Sequence, residues 1–284
     1  MANTRDIRRR IKSVKNTAQI TKAMQMVAAA KMRKAQAQAL AGRPYSHLLD
    51  EIAANMQASA GEYSHPLIQG RPVKKRLVLL ITTDKGLCGG LNTNLLKEVS
   101  LRHTANTVYV SIGRKGKLYL ARTGKELLAD FELKDGFAFR DCKRVSSFVL
   151  DLYEKGEIDT VEVAYSKYIN AMTQEPTLFK LAPIGVEKLA LTEEGKVGSS
   201  DAIFEPSAAE LLGKLLPFYV HFELYQFVLN AKASEHSARM VAMKNATDNA
   251  KQIVKDLTLL YNKVRQAAIT TELLEITTAQ AVLN

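Results

Sequence analysis

The chain has 284 residues, 46% of them hydrophobic and 24% charged, a balance that describes an ordered protein long enough for more than one structural unit. It holds no run of about 18 apolar residues, so no membrane-spanning helix is expected. Its two cysteines, Cys88 and Cys142, are too few and too far apart for a disulfide framework, and the five histidines form no i, i+3 or i+4 pair, so neither a disulfide scaffold nor a zinc site is expected.

The net charge of +11 is concentrated at one end: residues 1–34 hold ten Arg and Lys against the single acid Asp6, while the remaining 30 bases and 28 acids nearly cancel. An Arg-rich, acid-poor start also describes a targeting presequence. Here the helical pattern runs unbroken into the next thirty or so residues with no cleavage-like boundary, which favours a structural helix.

No glycine or proline occurs before Gly42 or after Pro217. Because proline costs about 3 kcal/mol and glycine about 1 in a helix interior, these absences predict two long terminal helices. The first, over residues 1–60, has an apolar seam at Ile7, Ile11, Val14 and Ala18 that resumes at Tyr45, Leu49, Ile52 and Met56. Between them lies an alanine- and methionine-rich stretch, Met24 to Ala39, whose small side chains let a second helix approach closely. Pro44 is expected to kink this helix or to end one segment of it.

The middle, residues 75–190, changes character. Residues 76–83, 107–112, 159–166 and 176–182 read as strands, and helices fit near 91–103, 114–123 and 143–155. Alternation of the two predicts a small α/β sheet of Rossmann-like type. Residues 192–202 are polar and contain glycine and serine, and read as a linker. A second long helix then spans 206–284. Ser207 with Glu210 is a capping-box pattern at its start, followed by an apolar face at Leu211, Leu215, Phe218, Phe222 and Tyr225. Met243, Ala246, Ala250, Ile253, Leu257, Leu260, Val264, Ala267, Thr271 and Leu274 then alternate spacings of three and four, the seam of a left-handed coiled coil. The two terminal seams are each other's natural partners. The expected architecture is therefore an antiparallel two-helix coiled coil from both termini with an inserted small α/β domain.

Chemistry is harder to find. Residues 82–92, TTDKGLCGGLN, follow a strand and precede a helix, where a nucleotide-binding loop would sit. Gly86, Gly89 and Gly90 fit neither GxGxxG nor GxxxxGK[ST], so a tight turn presenting a contact surface is the better reading. Cys88 has no histidine close in sequence to activate it. The acid pairs Glu193–Glu194 and Glu272 with Glu275 read as solvated faces, so no catalytic constellation and no cofactor are expected. What remains is the basic helix, whose partner is an acidic protein segment or nucleic acid. The absence of aromatics from residues 1–44 gives base stacking no support. A basic coiled-coil nucleic-acid binder is kept as the alternative.

Four strings carry a family resemblance. They are residues 11–32 (IKSVKNTAQITKAMQMVAAAKM), the TTDKGLCGGLN loop, Tyr168-Ile169-Asn170, and residues 261–272 (YNKVRQAAITTE). Together, in order and from end to end, they resemble the γ subunit of bacterial-type F-type ATP synthases. The resemblance implies a non-catalytic rotor subunit of an ion-transporting ATP synthase. It would stand inside three α and three β subunits, form a foot on the membrane c-ring with ε, and lie peripherally at the cytoplasmic face of the cell membrane without contacting nucleic acid. By position, Arg265 and Gln266 match a pair that engages an acidic catch loop of β, where a planar guanidinium suits a carboxylate. Met24 matches a position facing the acidic lever of β, and Lys85 and Cys88 fall in a loop that approaches the same region. Glu205 matches a contact with ε and the c-ring. Ala202 stands where relatives can carry an aromatic, and Ala279-Gln280 departs from the Gly-Ala of the family's C-terminal signature.

Overall fold

A computed structural model describes residues 4–59, 65–184, 205 and 207–283. The expected linker, 192–202, lies outside them. The described chain forms ten elements: helix α1 (Thr4–Ser59), strand β1 (Arg76–Ile81), α2 (Leu91–Leu101), β2 (Thr107–Ile112), α3 (Arg114–Arg122), β3 (Leu127–Phe131), α4 (Phe139–Glu154), β4 (Thr160–Tyr168), β5 (Gln174–Ala182) and α5 (Ala208–Leu283). They divide into two compact units, one of residues up to Ala29 with those from Arg239 onward, the other of Ala30–Ala238.

In the first unit the beginning of α1 pairs with the end of α5. Ile7 and Ala28 are buried on α1, with Ile11, Val14, Ala18, Thr21 and Met24 half-buried between them, a repeat close to 3.5 residues. On α5 the facing positions are Met243, Thr247, Ala250, Val254, Leu257, Tyr261 and Val264. Met243, Ala250, Leu257 and Val264 were expected. Ile253 and Leu260 were expected too, but they lie 45% and 44% exposed, and the seam uses Val254 and Tyr261 one residue further on. The offset traces to Thr247, which is buried although polar. Its hydroxyl reaches its own helix at Met243 O (2.8 Å) and meets the Thr21 hydroxyl across the seam at 2.7 Å. A search for apolar residues passes over a threonine that satisfies itself in this way. Counting back from Thr21 to Thr4, and forward from Thr247 by as many residues, reaches Val264, the last half-buried position on α5. Ala267, Thr271 and Leu274, expected in the seam, are instead exposed.

The second unit is the α/β body. Its sheet has the order β3-β2-β1-β4-β5, with all neighbours parallel except the antiparallel pair β4–β5. Alternate residues of β1 serve opposite faces, as strand geometry requires. Leu77, Leu79 and Ile81 join a large core with α1, α4 and α5, while Val78 and Leu80 join a smaller one with Leu95 and Val99 of α2 and Leu120 of α3. β1 is buried on both faces, so it reads as a continuous apolar run. β3 was not expected. It is an edge strand whose residues alternate between half-buried and exposed, so its apolar signal is weak. α4 also begins four residues before its expected start at 143, because Asp141 caps it by accepting the Ala138 amide at 2.9 Å.

Neither proline ends a helix. α1 runs through Pro44 and α5 through Pro217. Packing on both sides overrides the local cost: Ala35, Leu49, Ala53 and Met56 of α1 are buried, as are Leu212, Leu216, Tyr219 and Val220 of α5. Tyr45 packs edge-on against Phe222 with ring centroids 4.8 Å apart, and Ser46 donates to Glu223 at 3.4 Å. A Cβ on Gly42 would lie 1.8 Å from the Gln226 amide nitrogen, so the absence of a side chain there permits the close approach of α5. In this stripe the expected Ile52 is 43% exposed and Ala53 is fully buried, again one position on. Ser207 caps α5 as expected, accepting the Glu210 amide at 3.2 Å, but the Glu210 carboxylate turns to Lys214 at 3.0 Å instead of completing the capping box.

Gly113, between β2 and α3, has φ +98°, and a Cβ there would sit 2.2 Å from the Thr82 carbonyl oxygen. Backbone cannot yield as a flexible side chain can. Gly113→Ala is expected to cost about 3 kcal/mol or more, whereas Gly70→Ala, which meets open space, should stay within about 0.5 kcal/mol. Urea unfolding midpoints of the two variants check this.

Candidate functional site

In an open parallel sheet a ligand binds beyond the carboxyl ends of the strands, at the point where strand order reverses, here between β1 and β4. The TTDKGLCGGLN loop leaves β1 at that point. Its own chain occupies several donors around that point. At the start of α3 the Arg114 amide donates to Asp84 Oδ1 (3.1 Å), the Lys115 amide to Thr83 O (3.1 Å) and the Gly116 amide to Thr82 Oγ1 (2.8 Å). The Thr83 amide donates to Asn92 Oδ1 (3.3 Å), and Asn92 Nδ2 donates to Thr83 Oγ1 (2.7 Å) and Cys88 Sγ (3.4 Å).

The crevice itself is filled by α5. Val228, Ala231, Lys232 and Glu235 close it against Ile81, Thr83, Asn92 and Ser166, leaving a cavity of about 20 Å³. A small-molecule site needs some 300–1,000 Å³. The position where this fold class takes a ligand is taken by one of the chain's own helices. A wider groove of about 570 Å³ runs along residues 130–137 and the start of α4, but its aspartates are engaged: Asp130 with Lys117, Asp135 with Lys31, and Asp141 with the Ala138 amide.

Residues 232–238 of α5 are buried without exception, although five of the seven are polar. Lys232, 8% exposed, donates to Glu235 at 3.1 Å and lies within 4.0 Å of Asp84, from the loop after β1, and 3.9 Å of Asp135, from the loop after β3. Asp135 also binds Lys31 of α1 at 2.6 Å and lies 3.8 Å from His236. Asn230 accepts the Tyr168 amide at 2.6 Å, and Ser237 donates to Ala171 O at 2.8 Å, so the β4–β5 turn joins the same collar. Burial pushes the Asp135 carboxyl up. The Lys31 hydrogen bond, with the charges of Lys232, His236 and Lys31, outweighs it and holds Asp135 below the usual carboxylate range. Cys142 is fully buried, and burial followed by the charge of Asp141 pushes its thiol up to about 12, which makes it inert.

The expected contact residues fall in different places. Arg265 and Gln266 are exposed on the first turn of α5 beyond the paired seam. Met24 is half-buried within that seam. Lys85 is exposed on the loop after β1, and Glu205 is exposed just before α5. Cys88 is buried within the chain's own fold. It is 3% exposed and packs with Leu91 and Ala238. The side chain that the loop does display is Leu87, 61% exposed and at φ +62°, and sequence reading passed over it.

Two terminal helices that pair with each other, one of which also fills the crevice of a Rossmann-like sheet, define a helical hairpin with an α/β insert. The family model described as ATP synthase matches residues 3–283. Among curated relatives, the ATP synthase γ chain of Methylacidiphilum infernorum is 53% identical with 100% of both chains covered. The γ chain of Opitutus terrae is 49% identical, covering 99% of this chain and 98% of its own. Among solved structures, a chain of the Euglena gracilis mitochondrial ATP synthase OSCP/F1/c-ring assembly matches with a TM-score of 0.70 at 20% identity, over 99% of this chain and 94% of that one, a likeness of fold. A chain of the Tetrahymena thermophila mitochondrial ATP synthase central stalk and c-ring matches at 26% identity and a TM-score of 0.63, over 80% of this chain and 99% of that one. The chain belongs to the ATP synthase γ-chain family. The alternative of a basic nucleic-acid binder finds no support in these relatives.

Because the folded pKa of Asp135 is depressed, its contribution to stability is present above its unfolded value of about 3.9 and is lost as pH falls through the folded value. Asp135→Asn should lower the urea midpoint at pH 7, and the difference from the parent chain should shrink as pH falls through the folded value. A pH series of unfolding curves on both chains tests the sign.

Proposed function

We infer that this chain is the central-stalk rotor subunit of an F-type ATP synthase, coupling ion-driven rotation of a membrane c-ring to conformational changes at the catalytic β subunits, and running in reverse with ATP hydrolysis. The observation that carries this reading is the end-to-end identity of 53% to a γ chain, with nothing of either protein left uncovered. The geometry supports it: α5 is a helix of 76 residues, buried all round at 232–238 and exposed from Arg265 to Thr278, as a shaft gripped at one place and offered to partners at another would be. Coupling between shaft angle and nucleotide affinity is reciprocal, so the same contacts serve synthesis and hydrolysis.

The finer assignments rest on the resemblance. The chain works at the cytoplasmic face of the cell membrane, inside three α and three β subunits, with ε and the c-ring at its foot beside Glu205. No described helix is long and apolar enough to cross a membrane, so membrane association comes through the complex. Arg265 and Gln266 engage an acidic catch loop of β. Arg5, Arg8, Arg9, Lys12, Lys15 and Lys22 lie exposed on α1, a cationic face for acidic segments of the same subunits. Met24, half-buried, contributes chiefly to the seam and only its edge meets the acidic lever.

Arg265→Ala in an assembled complex tests the catch. Truncating one partner of a desolvated charge pair costs about 2–5 kcal/mol, so ATP hydrolysis and its coupling to ion transport should fall at least about tenfold. Unchanged synthesis, hydrolysis and coupling would remove Arg265 from this role, and failure of the chain to co-purify with α and β would remove the function itself.

A further inference from the structure

Most polar side chains around the filled crevice are satisfied by the chain itself. Thr82 Oγ1 accepts the Gly116 amide at 2.8 Å and donates to Ile112 O at 3.2 Å. Thr83 Oγ1 accepts from Asn92 Nδ2 at 2.7 Å and donates to Lys85 O at 2.8 Å, and Asn92 Oδ1 accepts the Thr83 amide at 3.3 Å. Two lining groups remain short of partners. Ser166 of β4 is 5% exposed, and its hydroxyl has no hydrogen-bond partner among the described residues. Lys232 of α5 is 8% exposed, and an ammonium has three protons to donate. Glu235 takes one at 3.1 Å, while Asp84 at 4.0 Å and Asp135 at 3.9 Å stand beyond the roughly 3.2 Å reach of a hydrogen bond. Carboxylates at that range balance the charge without receiving its protons.

Ser166 and Lys232 line the same cavity, whose volume is about 20 Å³. One water needs roughly 10–15 Å³ and two to four polar partners, and a polar cavity of that size fills where an apolar one stays dry. A polar contact stretched past about 3.5 Å is also where a bridging water belongs. We propose that this cavity binds a single ordered water, which accepts a proton from Lys232 Nζ and donates to Ser166 Oγ. The water ties α5 to β4 at the point where an open parallel sheet would otherwise hold a ligand. The charge of Lys232 excludes a metal cation there, and the volume excludes anything larger than a water or a monatomic anion. Ser166 is then a positioning residue: its hydroxyl fixes the water, and the water fixes the ammonium that Glu235, Asp84 and Asp135 surround. The seat of α5 thereby includes a link to the sheet that direct hydrogen bonds do not show. Binding of this water depends on the fold of the chain and not on the rotor reading.

A crystal structure of the full chain at a resolution that shows ordered water, from crystals grown with and without chloride, tests the site. The expected result in both is a peak with the weight of a water, within about 3 Å of Lys232 Nζ and of Ser166 Oγ. A cavity without a peak overturns the proposal, as does a heavier peak that disappears with the chloride, or an ammonium bonded directly to Asp84 or Asp135. A thermodynamic cycle adds a readout that a merely structural serine would not move. Ser166→Ala should lower Tm by about 2–4 °C in the parent chain, the loss of one buried hydrogen bond. In a Lys232→Met background the same substitution should have a smaller effect, because the two side chains communicate through the water. Equal shifts in the two backgrounds would overturn the bridge. If Lys232→Met does not fold, the parent crystal structure decides alone.

Discussion

The arrangement depends on the seating of α5 across the carboxyl ends of the parallel strands. A sheet of order β3-β2-β1-β4-β5 creates a crevice at the reversal between β1 and β4 whether or not a ligand is wanted. Here Val228, Ala231, Lys232 and Glu235 fill it. Beside that filled crevice the loop after β1 turns its acceptors inward to the amides of α3 and its Thr83 amide to Asn92, and the helix has a fixed seat in the body. A feature that suggested nucleotide chemistry in the sequence is thereby a joint.

The joint is built differently along its length. From Leu212 to Val228, α5 contributes large apolar side chains to the main core. From Asn230 to Ser237 it relies on hydrogen bonds and ion pairs to three loops, one of which, at Asp135, is also bound by Lys31 of α1. Apolar packing supplies free energy but tolerates rearrangement, whereas buried polar groups are costly in every arrangement except the one that pairs them. Lys232 has carboxylates from its own helix and from two loops within reach, so displacing any one of those loops leaves part of its charge unanswered. Breaking such a buried network is strongly destabilising even where its net contribution is small. The apolar stretch therefore anchors the helix and the polar stretch sets its position.

Much of this was legible in the chain, and the exceptions share physical causes. The two helices, the central strands and the α/β insert followed from proline and glycine placement and from apolar periodicity. The seam errors came from ranking residues by apolar size. Ile52 and Ile253 were preferred to Ala53 and Val254, yet two helices in close approach exclude the larger side chain. Thr247 was missed because its hydroxyl is satisfied by its own helix, and β3 because an edge strand need bury only one side of alternate residues. Pro44 was read locally, while tertiary burial on both sides of it decided the outcome. The candidate contacts divided on the same ground. Arg265 lies where the seam ends, which periodicity locates, but the burial of Cys88 beside an exposed Leu87 depends on a backbone torsion that residue type does not announce.

That contrast bears on how a non-catalytic surface is recognised. Perturbed titrations and converging polar groups mark many active sites, whereas the exposed apolar residues of a contact surface resemble ordinary surface. Backbone conformation distinguishes one exposed leucine from another. An exposed leucine in an ordinary conformation needs no explanation, whereas one held at φ +62° beside the buried Cys88 incurs a cost that glycine would avoid. The same reasoning separates the bare end of α5 from the loop after β1. Ile269, Leu273, Leu274 and Ile276 are exposed on an unstrained helix and say only that the helix continues, while Leu87 is exposed on a backbone that its fixed neighbours hold in strain.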